Sequence, residues 1–179
     1  MVQQEILRVF IRGRENVDED DNAFFPGKYL KCRIEFREDY PENPPKFYIE
    51  KLKNGDAFRS MNVYADGEVC QYTLNPDYWA KKKYDLCTIV KSVESMLYSP
   101  NSSDPANLIM QELFSENENQ YWQIQASQAK NFYDESDLKS WYDSDSQHNS
   151  FMNSGLMFAQ WTVSHSPLVA KFNDKALRQ

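Results

Sequence analysis

The sequence is short of the residues that most often mark chemistry. Its only histidines, His148 and His165, come late in the chain, so a His-assisted nucleophile or a His-ligated metal centre is not expected. Cys32, Cys70 and Cys87 are an odd number with no close pair, which fits neither a disulfide framework nor a zinc site. No apolar run is long enough to span a membrane, and the N-terminus has no apolar region of the signal-peptide kind. Basic residues are outnumbered: the net charge is -7 and the pI about 4.9. That leaves no basic face to neutralise phosphates, so neither nucleic acid nor an anionic membrane is expected as the main partner. The free thiols and the lack of a signal make a reducing compartment, cytosol or nucleus, the expectation. No internal repeat is visible.

What is present points to a packed domain. A chain of 179 residues suggests one domain plus some extra length, and 41% hydrophobic with 15% aromatic residues is a globular composition. Strand signals come first. Leu7, Val9 and Ile11 alternate with Arg8, Phe10 and Arg12, and Lys28 to Phe36 alternates again, with Leu30, Cys32, Ile34 and Phe36 on one face. Cys32 is thereby expected in the core. The run Tyr40-Pro41-Glu42-Asn43-Pro44-Pro45 cannot be a central strand, because Pro donates no ladder bond. It reads as a polyproline-type connection into a short strand, Lys46 to Glu50, after which Leu52 to Met61 is irregular.

Helical spacing takes over at Asp85. Leu86, Ile89, Val90, Val93, Met96 and Leu97 form the stripe, Asp85 is the expected N-cap and Pro100 the stop. Cys87 lies off this stripe. A further helix is expected to open at Pro105, burying Leu108, Ile109, Leu113 and Phe114. Ser115 with Glu118 reads as a capping box for the next helix, which carries Tyr121, Trp122 and Ile124 to about Lys130. The Lys81-Lys82-Lys83 run reads as a solvated loop or as a contact for an acidic partner. Strands first and helices later is an α+β order: an antiparallel meander with helices packed on it. The expected division is a core over 1–130 and an acidic, Ser- and aromatic-rich extension over 131–179, partly disordered. Its Asp134, Glu135, Asp137, Asp143 and Asp145 form either a solvated tail or a partner-recruiting cluster.

The stretch Asn62 to Cys70, NVYADGEVC, stands apart. Ala65-Asp66-Gly67 is a turn signal, so Asn62 and Cys70 fall on opposite arms of a tight excursion. An amide and a sulfur brought close in this way can serve acyl transfer, the amide donating to an oxyanion on the sulfur-bound carbonyl. An inert core thiol is the plain alternative.

Four segments, in order, resemble the ubiquitin-conjugating enzyme family over about Leu7 to Lys130. They are YPENPPK at Tyr40–Lys46, DGEVC at Asp66–Cys70, Trp79, and PNSSDP at Pro100–Pro105. The resemblance implies that Cys70 accepts ubiquitin, or a ubiquitin-like protein, as a thioester from an activating enzyme. That upstream enzyme consumes the ATP, so no cofactor is expected here. A target lysine then takes the acyl group, with a ubiquitin ligase as a further partner. By the same resemblance Asn62 stabilises the oxyanion or orders the loop beside it, and Asp104 orients or deprotonates the incoming lysine; helix capping is the alternative for Asp104.

The departures carry expectations too. Ser60-Met61 stands where the family has His-Pro, so a stiff bend is lost and Asn62 is expected to be less firmly placed. Glu42 and Ala80-Lys81-Lys82 replace the family's ligase-contact residues, so ligase selection should differ. The family's N-terminal helix has no counterpart before Leu7, which leaves open an incomplete N-terminus or a divergent member. A catalytically impaired ubiquitin-binding scaffold of the same fold is the competing reading.

Overall fold

The computed structural model describes residues 5–14 and 25–138, together with the backbone of 158–159. Strands β1 (Glu5–Arg12), β2 (Tyr29–Phe36) and β3 (Lys46–Ile49) form an antiparallel meander. The register sets Val9 beside Cys32 and Cys32 beside Ile49, and all three are buried. This is the alternation of the sequence made physical, since every second residue shares a face. Burial holds the Cys32 thiol well above its ordinary pKa, with Glu50 adding to the shift, so Cys32 stays a neutral core residue. A two-residue strand, β4 (Phe158–Ala159), pairs in parallel with the outer edge of β1 at Arg8 and Val9.

The other edge of the sheet leads to the site. Ile49 donates its N–H to the Gly67 carbonyl at 2.9 Å, and Val69 donates to Phe47 O at 2.8 Å. The excursion that ends at Cys70 is thus hydrogen-bonded onto β3.

A 3-10 turn (Tyr72–Leu74) follows, then a short helix α1 (Pro76–Lys81), an element additional to those expected from the sequence. Its signals are local: Asn75 accepts from the Asp77 N–H, and Pro76 occupies the first turn, where no N–H is needed. It delivers Trp79 into the core, with the indole N–H donating to Pro41 O at 2.8 Å. The Pro-rich segment therefore folds onto α1, and its residues 38–43 form turns rather than one extended run.

Helix α2 (Leu86–Tyr98) starts where its cap predicts, with Asp85 accepting from the Thr88 N–H at 2.7 Å. Its stripe of Ile89, Val90, Val93, Met96 and Leu97 packs on the sheet in one cluster with Val9, Cys32, Ile34 and Phe47. Each such side chain stabilises the fold by roughly 1.5–3 kcal/mol through burial.

Two helix starts depart from expectation. Helix α3 (Leu108–Glu116) is capped by Asn107, not opened by Pro105. The main-chain N–H groups of Ala106 and Asn107 both donate to Met61 O, at 2.9 Å each, and this ties the segment down before the helix begins. Leu108 and Ile109, expected inside, are 70% and 78% exposed; the packed side is Met110, Leu113 and Phe114. Helix α4 (Glu118–Ala129) is capped by Asn117, which also ends α3. Ser115 lies within α3, its hydroxyl donating back to Gln111 O.

Packing continues past Lys130. Phe132 is buried against Phe25 and Phe58, Tyr133 exchanges main-chain bonds with Tyr29, and Leu138 packs on Phe10 and Tyr29. Asp134 and Asp137 pair with Lys28 and Lys53. Asp143 and Asp145 of the expected extension lie outside the described residues.

Candidate functional site

The Asn62–Cys70 excursion is a tight hairpin. Val63 bridges Val69, Gly67 donates to Tyr64 O, and Asp66 Oδ1 accepts from the Glu68 N–H. Gly67 has φ +91°, and a Cβ there would sit 2.4 Å from Ile49 O. Both the turn and the close approach to β3 demand glycine. The hairpin closes with the Cys70 N–H donating to Asn62 O at 2.9 Å.

Asn62 is 1% exposed, and its side chain is fully engaged. Nδ2 donates to Asn101 O at 2.8 Å and to Asp104 O at 3.1 Å, while Oδ1 accepts from the Asn101 N–H at 2.8 Å. An amide has two N–H donors, and both are used here. Of the two roles carried by the resemblance, ordering the 101–104 loop has its bonds in place; oxyanion donation needs an N–H that is already committed.

That loop carries Asp104 to the cysteine. The Cys70 thiol points at Asp104 Oδ2 at 3.9 Å. Asp104 caps no helix, since Asn107 does so for α3. The structure thus brings all three sequence-predicted residues together. Cys70 is partly buried, and its thiol pKa is raised by desolvation first and then by the charges of Asp104 and Glu68. The Tyr64 hydroxyl, a donor to the thiolate form, acts in the opposite direction.

Tyr64 was missed by sequence reasoning. It is 46% exposed, yet it meets Cys70 and feels Asp104, and its own pKa is raised chiefly by the Cys70 charge. The available signal was its place between Asn62 and the turn, on the arm of the hairpin that faces Cys70.

Around Cys70 runs a groove of about 520 Å³ whose walls include Tyr64, Tyr72, Tyr78, Pro45, Asn101 and Asp104. Its other carboxylates have cationic partners: Glu68 pairs with Lys46 at 2.8 Å and Asp39 with Arg37 at 3.6 Å. Among the described residues, no group of three or more His, Cys, Asp or Glu side chains is placed to hold a metal ion.

The expectation that Asn62 is less firmly placed is corrected by what grips Ser60-Met61. Gln128 accepts from the Arg59 N–H at 2.7 Å and donates to Arg59 O at 2.8 Å; Gln125 also donates to that carbonyl. The hydroxyls of Ser60 and Tyr121 are 3.1 Å apart. Met61 is completely buried in a cluster with Met110 and Tyr121. Helices α3 and α4 supply the stiffness that a proline would otherwise give.

Farther out, Glu42 and Lys83 form an exposed ion pair at 3.2 Å between the Pro-rich loop and the segment after α1. Lys81 and Lys82 lie over the rings of Tyr78 and Tyr84.

Comparison with known proteins places these features in context. The family model described as ubiquitin-conjugating enzyme matches residues 9–129. The chain is similar to "Ubiquitin-conjugating enzyme E2 1" of Caenorhabditis elegans, 37% identical over 93 residues, which are 51% of this chain and 44% of that protein. It is also similar to "Ubiquitin-conjugating enzyme E2 3" of Arabidopsis thaliana, 34% identical over 96 residues, 53% of this chain and 59% of that protein. The matched stretch spans about half the length of these curated relatives.

Proposed function

The chain belongs to the ubiquitin-conjugating enzyme family, and from that premise we propose that it carries ubiquitin, or a ubiquitin-like protein, as a thioester on Cys70 and passes it to a target lysine. The observation that carries this reading is the cysteine's setting. A partly buried thiol lies in an open groove with a carboxylate 3.9 Å from its sulfur, and Tyr64 lines the same groove.

In the first step the Cys70 sulfur attacks the thioester carbonyl presented by an activating enzyme. The Cys70 proton is given up to solvent, a new C–S bond forms, and the activating enzyme's sulfur leaves as a thiolate and takes a proton back. In the second step a neutral lysine amine attacks the same carbonyl carbon. The C–N bond forms, the C–S bond breaks, and Cys70 departs as a thiolate, while the amine proton passes to a base. Asp104, 3.9 Å from the sulfur, orients the amine and takes that proton. Tyr64, in the same groove wall, donates to the departing sulfur. Asn62 acts through the loop it holds. A ubiquitin ligase that tolerates the Glu42–Lys83 pair is the further partner, and a reducing cytosol or nucleus suits the free thiol.

A charging assay tests this directly. With ubiquitin, an activating enzyme and ATP, a band heavier by one ubiquitin should appear on a gel run without reductant and collapse with thiol. Cys70→Ser should give an adduct that survives reductant, and Cys70→Ala none. An adduct that persists in Cys70→Ala removes Cys70 from the mechanism.

A further inference from the structure

Cys70 is fixed from both sides. Its own N–H is bound by Asn62 O, in the arm before it. The residue after it, Gln71, reaches into the body of the protein with both ends of its amide. Gln71 Oε1 accepts from the Tyr72 N–H at 2.7 Å and caps the 3-10 turn; Nε2 donates to Ser92 O at 2.9 Å, inside α2. One step on, Thr73 Oγ1 and Ser92 Oγ lie 2.8 Å apart, both buried. The Ser92 hydroxyl donates to Ile89 O at 2.8 Å, so the Thr73 hydroxyl must be the donor between the two. The two hydroxyls therefore have fixed donor directions.

Resting on the thioester reading above, we propose that Gln71 is a positioning residue for Cys70: its side chain is a strut from α2 that sets where the sulfur sits relative to Tyr64 and Asp104. An apolar side chain could fill the space but could not hold the Tyr72 N–H and the Ser92 carbonyl together, and those are the two bonds that fix the main chain next to the cysteine. The contacts at stake are sensitive to small movements. The thiol meets Asp104 at 3.9 Å, and displacing a reacting group by about 1 Å can cost on the order of 100-fold in rate.

The groups facing the sulfur are Tyr64 and Glu68 from the hairpin and Asp104 from the loop before α3. Lys46 of β3 lies behind Glu68, and the Arg37–Asp39 pair stands across the groove. None of them belongs to Gln71 or to α2. A neutral change at Gln71 leaves all these charges in place; an apolar side chain that left the sulfur where it is would desolvate Cys70 further and push its midpoint up, so a downward shift reports movement of the sulfur.

The test is the pH dependence of Cys70 alkylation by iodoacetamide, read peptide by peptide by mass spectrometry, in wild type, Gln71→Leu and Thr73→Val, with a thermal melt of each. Gln71→Leu is neutral and similar in bulk. Its alkylation midpoint should move down toward that of an ordinary cysteine as the sulfur leaves its partly buried place beside the carboxylates. Thr73→Val breaks the buried hydroxyl pair but leaves the strut; it should lower the melting temperature and keep the wild-type midpoint. In single-turnover discharge to free lysine, the step that uses Asp104 and Tyr64, Gln71→Leu should lose about tenfold or more in rate, with charging retained. Should Gln71→Leu fail to fold, Gln71→Asn replaces it, a shorter amide that meets the Tyr72 N–H and falls short of Ser92 O, with the same shift expected. A midpoint in the Gln71 variant that superimposes on wild type overturns the proposal and leaves Gln71 a stability residue only. A wild-type protein that cannot be charged defeats the thioester reading, while the alkylation shift still decides the strut.

Discussion

Asn62 and Asp104 are linked through the main chain: the buried Asn62 amide donates to the Asp104 carbonyl at 3.1 Å, while the Asp104 carboxylate faces the Cys70 sulfur. One side chain thus sets the position of another that it meets only through the backbone. With its second N–H and its oxygen both spent on Asn101, Asn62 holds the 101–104 loop at three points.

Asn62→Ala should therefore separate the two steps. Charging of Cys70 does not need Asp104 and should persist, whereas discharge of the thioester to free lysine should fall by about 100-fold as the carboxylate drifts. Three partners left unbonded should also lower stability by about 1–3 kcal/mol. Single-turnover discharge and urea unfolding measure the two effects. Equal losses in charging and discharge would show instead that Asn62 acts at the sulfur itself.

The same geometry predicts opposite pH shifts from two neighbours. The Asp104 charge disfavours the Cys70 thiolate and the Tyr64 hydroxyl favours it. Asp104→Asn should accordingly move the midpoint of Cys70 alkylation down, and Tyr64→Phe should move it up. The sign follows from which form of the sulfur each group stabilises: a nearby anion favours the neutral thiol, a donor favours the thiolate. Shifts in the same direction would mean that one of the two contacts is absent in solution.

Much of this was legible in the sequence, for identifiable reasons. Strand alternation placed Val9 and Cys32 inside, Asp85 announced its helix, and the Asp-Gly turn set Asn62 and Cys70 on facing arms. These signals are local, and the structure obeys them. The failures are tertiary. Pro105 could open a helix, but Met61 O claims the Ala106 and Asn107 N–H groups first, and the start moves to Leu108. The apolar face was then misread, because packing follows Met110, Leu113 and Phe114 at helical spacing rather than Leu108 and Ile109. Tyr64 and Gln71 went unnoticed because neither is unusual until the fold brings Cys70 and α2 to them.

Gly67 has two reasons to be glycine, and they can be told apart. Its φ of +91° alone strains an L residue, typically by about 1–3 kcal/mol. Gly67→Ala should exceed that range, because the new Cβ would meet Ile49 O at 2.4 Å and push the hairpin off β3. Amide exchange should report the second effect: the Ile49 N–H, bonded to Gly67 O, should lose protection ahead of the β1–β2 ladder. If the stability loss is small and Ile49 stays protected, the hairpin is more compliant than its geometry implies.

Met61 carries the burden created by the Ser-Met pair. It is fully buried between Met110 and Tyr121, and its carbonyl accepts both N–H groups that precede α3. Truncation to Ala opens a cavity under the residue next to Asn62 and should cost about 2–5 kcal/mol in urea unfolding. The carbonyl bonds belong to the main chain and survive the change, so the fold should hold while the site loosens. Lysine discharge should then fall more than charging, as in Asn62→Ala, because both changes act through the 101–104 loop. Ser60→Ala provides the contrast. It removes one hydroxyl bond to Tyr121 worth about 1 kcal/mol, leaves the methionine in place, and should spare discharge. If Ser60→Ala instead damages discharge as much as Met61→Ala does, the Tyr121 hydroxyl rather than the packing of Met61 is what keeps Asn62 aligned.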